Sequence, residues 1–296
     1  ENIVDFLTEH LHKALLENGI GYSQDKFYQT KLPVEHSFNF DESNLANVVI
    51  GFPELLGENL DEKGYRDGIY QVVNQGFSTE SIFHLLDKIK ANGMDNPTRA
   101  DLGPFSPYIP NADLVLNTDM GTEPADFILS SKSKLVYVHI KCGNSSVRPN
   151  SSAGALAEVG SQAIKNMEML VSGNELLKPG NWNLLLTAWP TAGAEQLMHE
   201  RIRLFTGQPY PASNPQDRQQ KLNEVWEVVS QRRRSTAVRK EIWIVSANSF
   251  SVKHFKSQLW LGQNAVSETL QAYQLINSWT STAHSNDVEL KIFVSP

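Results

Sequence analysis

One cysteine in 296 residues is the first thing this chain goes without. Cys142 alone excludes a disulfide framework, and it cannot build a cysteine zinc cluster by itself. A reducing, cytoplasmic setting is the expectation that follows. Long apolar runs are missing as well: no stretch approaches the roughly 18 apolar residues of a membrane span. Residues 3–17 are amphipathic instead of uniformly apolar, unlike a signal peptide. The sequence has no G-x-x-x-x-G-K-[ST] run and no G-x-G-x-x-G run, so a nucleotide or dinucleotide site is without support. Positive charge is also in short supply, with 26 Lys and Arg against 33 Asp and Glu, a formal net charge of −7. That balance speaks against a nucleic-acid partner only weakly, because binding depends on where the charges sit.

What is present is enough apolar material for one large domain, with hydrophobic residues at 40% and charged residues at 20%. Ile3, Leu7, Leu11 and Leu15 recur at helical spacing, while residues 20–76 show no sustained period. Ser78 and Glu80 open an expected helix through "STESIFHLLDKIKANG" that Gly93 stops. After a proline-rich loop the alternation sharpens. Strands are expected in "ADLVLN", "ADFILS" and "LVYVHIK" (residues 112–117, 125–130 and 135–141), then a helix over 152–171 and a buried strand in "NWNLLLTAW" (181–189). Helices near 193–206 and 216–231, the strand "EIWIVSA", helices near 251–261 and 265–279 and the strand "ELKIFV" complete the series. This order predicts an α/β protein with a mixed central sheet flanked by helices. The chain opens without Met, and the expectation is a single domain excised from a longer protein.

Several tempting matches lack the context their chemistry needs. His10 and His12 stand two apart on a helix and face different sides. His199 and Glu200 have no second histidine four residues after the first, so a zincin reading fails. Ser131 and Lys134 fit S-x-x-K, but in a polar turn.

The stretch "EPADFILSSKSKLVYVHIKCG" (residues 123–143) is different. It reads as a hairpin with Asp126 opening its first strand and His139 and Lys141 closing its second, on one face because side chains alternate. A carboxylate and an imidazole at one point can hold a divalent cation, and a lysine beside them can orient a water. The bland reading gives each a common duty: a strand-start cap, a half-buried strand residue and an edge lysine. Three such residues at one end of one hairpin favour the chemical reading. Asp113 is a rival acid one strand further away.

These residues resemble the PD-(D/E)XK nuclease superfamily, with its restriction-endonuclease-like fold. Pro124-Ala125-Asp126 stands at the first acid, and His139-Ile140-Lys141 stands where the family has Asp or Glu, any residue, then Lys. The departure is the histidine. The resemblance implies a core of helix, three-stranded meander, helix and strand over about 78–189, with an N-terminal extension (1–77) and a C-terminal one (190–296). It implies Gln162 in the active site, on a helix whose buried stripe is Ala153, Leu156, Gly160, Ala163, Met167 and Leu170. It also implies Glu80 as a further metal ligand beside Asp126 and His139, and Mg²⁺ or Mn²⁺ as the cofactor. The activity implied is metal-dependent hydrolysis of phosphodiester bonds in nucleic acid, DNA ahead of RNA. The setting implied is the effector module of a bacterial defence or repair system, with a helicase, ATPase or sensor domain in the same or a partner chain. The alternative is a catalytically inactive module of the same fold, for nucleic-acid binding or protein assembly. Arg232, Arg233, Arg234, Arg239 and Lys240, with Lys253 and Lys256 soon after, are then either a solvated loop or a phosphate-facing rim.

Overall fold

The computed structural model describes residues 39–147, 149–173, 178–206 and 215–296, together with three short strands at 14–15, 20–23 and 26–29 that pair as an antiparallel meander. The helix expected over residues 3–17 lies outside the described residues except at Ala14 and Leu15, which stand in a strand.

The centre is a seven-stranded mixed sheet. Its strands in chain order are β1 (Val49–Gly51), β2 (Leu114–Asn117), β3 (Phe127–Ser131), β4 (Lys134–Cys142), β5 (Ile202–Phe205), β6 (Arg239–Ser251) and β7 (Val288–Ser295). In space they run β5-β2-β3-β4-β6-β7-β1. Strands β2, β3 and β4 form an antiparallel meander, and β6, β7 and β1 continue the sheet in parallel from β4. The parallel pairs need crossovers. These are supplied by helices, principally α2 (Ala153–Lys165) and α3 (Pro215–Arg234) between β4 and β6, and α4 (Val252–Trp260) and α5 (Ser267–Ser285) between β6 and β7.

Alternation along β4 divides the core in two. Leu135 and Tyr137 point toward the four helices and share a cluster with Leu156, Leu222, Val225, Phe255, Ile276 and Trp279. Val136, Val138 and Ile140 point the other way, toward Phe52, Phe77, Phe105, Trp189 and helix α1 (Ile82–Asp87). Gly160 of α2 lies directly against the Trp279 ring of α5, where a Cβ would collide with it. The expected small-residue stripe is thus the seam between two helices as well as the face on the sheet. No helix among the described residues is long and apolar enough to cross a membrane.

Three elements differ from expectation. The run 181–189 is not a strand: Trp182–Leu186 is a 3₁₀ helix. Trp182, Leu185 and Trp189 are buried at helical spacing, whereas Leu184 is exposed. The stretch 193–206 is not a helix but irregular chain leading into edge strand β5. Arg203 holds that strand down, its guanidinium donating at 2.6 and 2.9 Å to the buried Asp87 carboxylate. The helix expected from Ser78 starts later, capped by Ser81, whose hydroxyl accepts the His84 N–H at 3.1 Å. The strand that pairs in parallel with β4 is β6, and 181–189 is no part of the sheet.

Candidate functional site

The β3–β4 hairpin ends its ladder at Phe127 opposite Val138, and Asp126 sits one residue past that end. Its main chain bridges both neighbouring strands: its N–H donates to Val138 O at 2.9 Å and its carbonyl accepts from Thr118 N at 2.8 Å. Its carboxylate accepts the Ile140 N–H at 2.8 Å. The side chain is buried, and burial pushes its pKa up to about 8, against the opposing pull of the Lys63 ammonium and the Ile140 N–H.

Two more acids reach the same point from the loop joining β2 to β3. Asp119, Glu123 and Asp126 each present a ligand oxygen, all within 4.8 Å of one another. Asp119 is oriented from two sides: Lys63 Nζ lies 2.9 Å from Oδ1, and the Trp189 indole N–H donates to Oδ2 at 2.8 Å. Glu123 accepts the Met120 N–H at 3.2 Å. Burial works to lower the pKa of Lys63, but Asp119, Asp126 and Glu62 outweigh it and hold the ammonium above its usual value. Glu62 is shifted up by burial, with Lys63 and Lys141 opposing. An all-carboxylate set of this kind fits a hard divalent cation such as Mg²⁺ or Mn²⁺.

His139 does not join this group. It lies in β4 on the helix-facing side, 1% exposed, and neither ring nitrogen has a hydrogen-bond partner among the described residues. Burial alone pushes its pKa down to about 4, so the ring is neutral. The imidazole is a core residue, and the acids that stand with Asp126 where a cation could be held are Asp119 and Glu123, not His139 and Glu80. Glu80 instead pairs with Arg66 at the surface. Lys141 does reach the rim, with Nζ 3.0 Å from Glu158 of α2, a bond that raises its pKa. Gln162, one turn beyond Glu158, is exposed.

The basic run is no rim of this site. Strand β4 pairs in parallel with β6 from Lys134 opposite Arg239 to Lys141 opposite Ser246. At about 3.3 Å per residue the run therefore lies roughly 23 Å from the Lys141 end. Its members are also engaged. Arg232 makes a bidentate contact with Asp113 at 2.6 and 2.7 Å, which removes that rival acid too. Arg233 is buried and donates to Ser172 O at 2.9 Å. Arg234 donates to Ser230 O, Lys240 is buried against Ser235 O, and Arg239 pairs with Glu289. Arg232, Arg233 and Arg234 form the last turn of α3, where cations suit the negative end of the helix dipole.

Comparison with family models, with curated proteins and with solved structures found no match for this chain. Sequence reasoning missed Asp119, Glu123, Glu62 and Lys63. The one local signal was three acids within eight residues of "DMGTEPAD", a loop with no periodicity to set their directions. Lys63 comes from a segment 56 residues from Asp119.

Proposed function

We propose that this chain is a metal-dependent nuclease domain that hydrolyses phosphodiester bonds in nucleic acid, with DNA as the first substrate to test. The observation that carries the reading is the convergence of Asp119, Glu123 and Asp126 at the mouth of a hairpin that has Lys141 at its rim. In this reading the three carboxylates hold a divalent cation, which when bound supplies Lewis acidity toward a phosphate oxygen. Lys63 and the Trp189 indole fix the direction of Asp119, and the Ile140 N–H fixes that of Asp126. Lys141, half-exposed and held charged by Glu158, faces the charge that grows on the phosphate as it is attacked. The test is plasmid incubated with Mg²⁺ or Mn²⁺, with and without chelator. Asp126→Ala and Lys141→Ala should each abolish cutting while the fold persists. An Asp126→Ala protein that cuts like wild type overturns the reading.

A second reading, a nuclease-like module without catalysis, is favoured by Lys63. Its ammonium already supplies one positive charge to the acidic group. Metal binding by wild type without cleavage of DNA or RNA would select this reading.

A further inference from the structure

Helix α4 begins where β6 ends, at the carboxyl edge of the parallel strands, and Lys141 closes β4 at that same edge. In open α/β sheets this edge is where ligands gather. Phe255 and Leu259 anchor α4 to the helix-side core, leaving Lys253, Lys256 and Trp260 on its outer side at i, i+3 and i+7, one helical face. Trp260 is 59% exposed, whereas Trp182, Trp189, Trp243 and Trp279 are buried and Trp226 is half-buried. Together with Phe40, Asp41 and Ser257 these side chains line a shallow cavity of about 550 Å³. Lys256 lies over the Phe40 ring, 5.0 Å from its centroid, and pairs with Asp41. The cavity also touches Pro296, which follows β7, two strands along from β4. That separation is roughly 10 Å along the sheet edge.

The helix is tied to the segment that follows β4. Ser151, just ahead of α2, donates its N–H to His254 Nδ1 at 3.0 Å, and its hydroxyl lies 2.8 Å from the same nitrogen. His254 stands between the two lysines of α4 in sequence. The chain that carries Lys141 is thus fastened to the helix that carries Trp260.

We infer that the α4 face is a contact surface for single-stranded nucleic acid, with a base stacked on Trp260 and the phosphates on the N-terminal side of that indole held by Lys253 and Lys256. The inference takes its ligand class from the nuclease reading above and would deliver a strand along the sheet edge toward Lys141. An exposed indole with two lysines along the same helix face has the two parts such binding requires, a stacking plane and charge for the backbone. A second copy of this chain fits worse. A two-fold contact through Trp260, Leu261 and Val266 would bring like lysines together, and Asp41 at this face is already paired with Lys256.

The experiment uses the full chain in chelator, so that nothing is cut, with fluorescein-labelled oligothymidylate as the probe. Binding should quench tryptophan emission, since Trp260 is the exposed indole. Trp260→Ala should weaken affinity by about tenfold, the contribution of one stacked base, and Trp260→Phe should restore most of it. Lys253→Ala should reduce the slope of log affinity against log salt by about 0.7. Arg239→Ala, at the opposite end of the sheet and paired with Glu289, should bind like wild type. Wild type that does not bind, a Trp260→Ala variant with unchanged affinity, or an emission change that follows self-association in sedimentation would each overturn the inference. Because no metal is present, these outcomes are separate from the plasmid assay: a failure of cleavage leaves the binding result standing, and the reverse holds too.

Discussion

His139 is an imidazole sealed into the sheet with both nitrogens unsatisfied among the described residues, and its cost is set by pH. In the unfolded chain it titrates near 6.5, and in the fold its pKa is about 4. Between those values the unfolded state binds a proton that the native state refuses, so stability falls as pH drops from about 6.5 toward 4. Below 4 this contribution is constant. His139→Leu should therefore flatten the acid side of the Tm–pH profile and raise stability at neutral pH by on the order of 1 kcal/mol, as buried unsatisfied nitrogens are removed. Metal affinity should be unchanged. A variant that loses Mn²⁺ binding would return His139 to the ligand set. Asp126 behaves in the opposite sense. Its carboxyl keeps a proton up to about pH 8, whereas the unfolded one loses it near 3.8, so this group withdraws stability as pH rises between the two. A cation bound there must displace that proton. Mn²⁺ affinity measured by calorimetry should rise by up to about tenfold per pH unit below 8 and level off above it. A flat profile from pH 6 to 9 would remove Asp126 from the site.

At the scale of elements, the seam between α2 and α5 makes a prediction with a contested sign. Replacing a helical glycine by alanine ordinarily helps by about 1 kcal/mol. At Gly160 the added methyl would meet the Trp279 ring, so Gly160→Ala should instead destabilise by about 1–3 kcal/mol in denaturant titrations. The end of α3 gives a second case. Arg232 and Asp113 are each mostly buried in their bidentate pair, and Arg232→Ala should cost on the order of 2 kcal/mol while leaving nucleic-acid affinity and its salt dependence as they were. The same elements show what the sequence carried. The meander and the strands β6 and β7 were legible because their apolar runs are short and continuous and their turns polar. The run 181–189 was not, since a short apolar stretch fits strand and helix alike. Strand β5 was hidden because its arginine, Arg203, is held by Asp87, a partner far away in sequence. Asp126 and Lys141 were visible as strand ends. Asp119 and Glu123 lay in a loop, whose direction depends on Lys63 and Trp189 and not on any local period.

For the whole molecule, the sheet separates two kinds of charge. One end of β4 and β6 gathers Lys134, Arg239, Glu241 and Glu289 into mutual pairs, while the other presents Asp126, its companion acids and Lys141. The first end neutralises itself; the second gathers three acids around the one ammonium of Lys63, an excess that suits a cation once Asp126 gives up its proton. A net charge of −7 is thus compatible with a polyanion as ligand where a metal, Lys141 or the α4 lysines locally reverse the sign. Raising salt should weaken strand binding at α4 far more than metal binding among the acids, which are partly shielded from solvent.

Strand order has a consequence for the timing of synthesis. β1, at residues 49–51, pairs with β7, at 288–295, and β7 itself sits between β6 and β1. Some 240 residues must leave the ribosome before that edge can form, and the loop so closed is the longest in the sheet. The meander β2–β3–β4, which positions Asp126, needs only local pairing and can assemble early. Nascent chains stalled before residue 288 should therefore protect the meander against proteolysis while residues 45–55 remain open to cleavage, and release of the completed chain should close them together with Phe52 and Leu55.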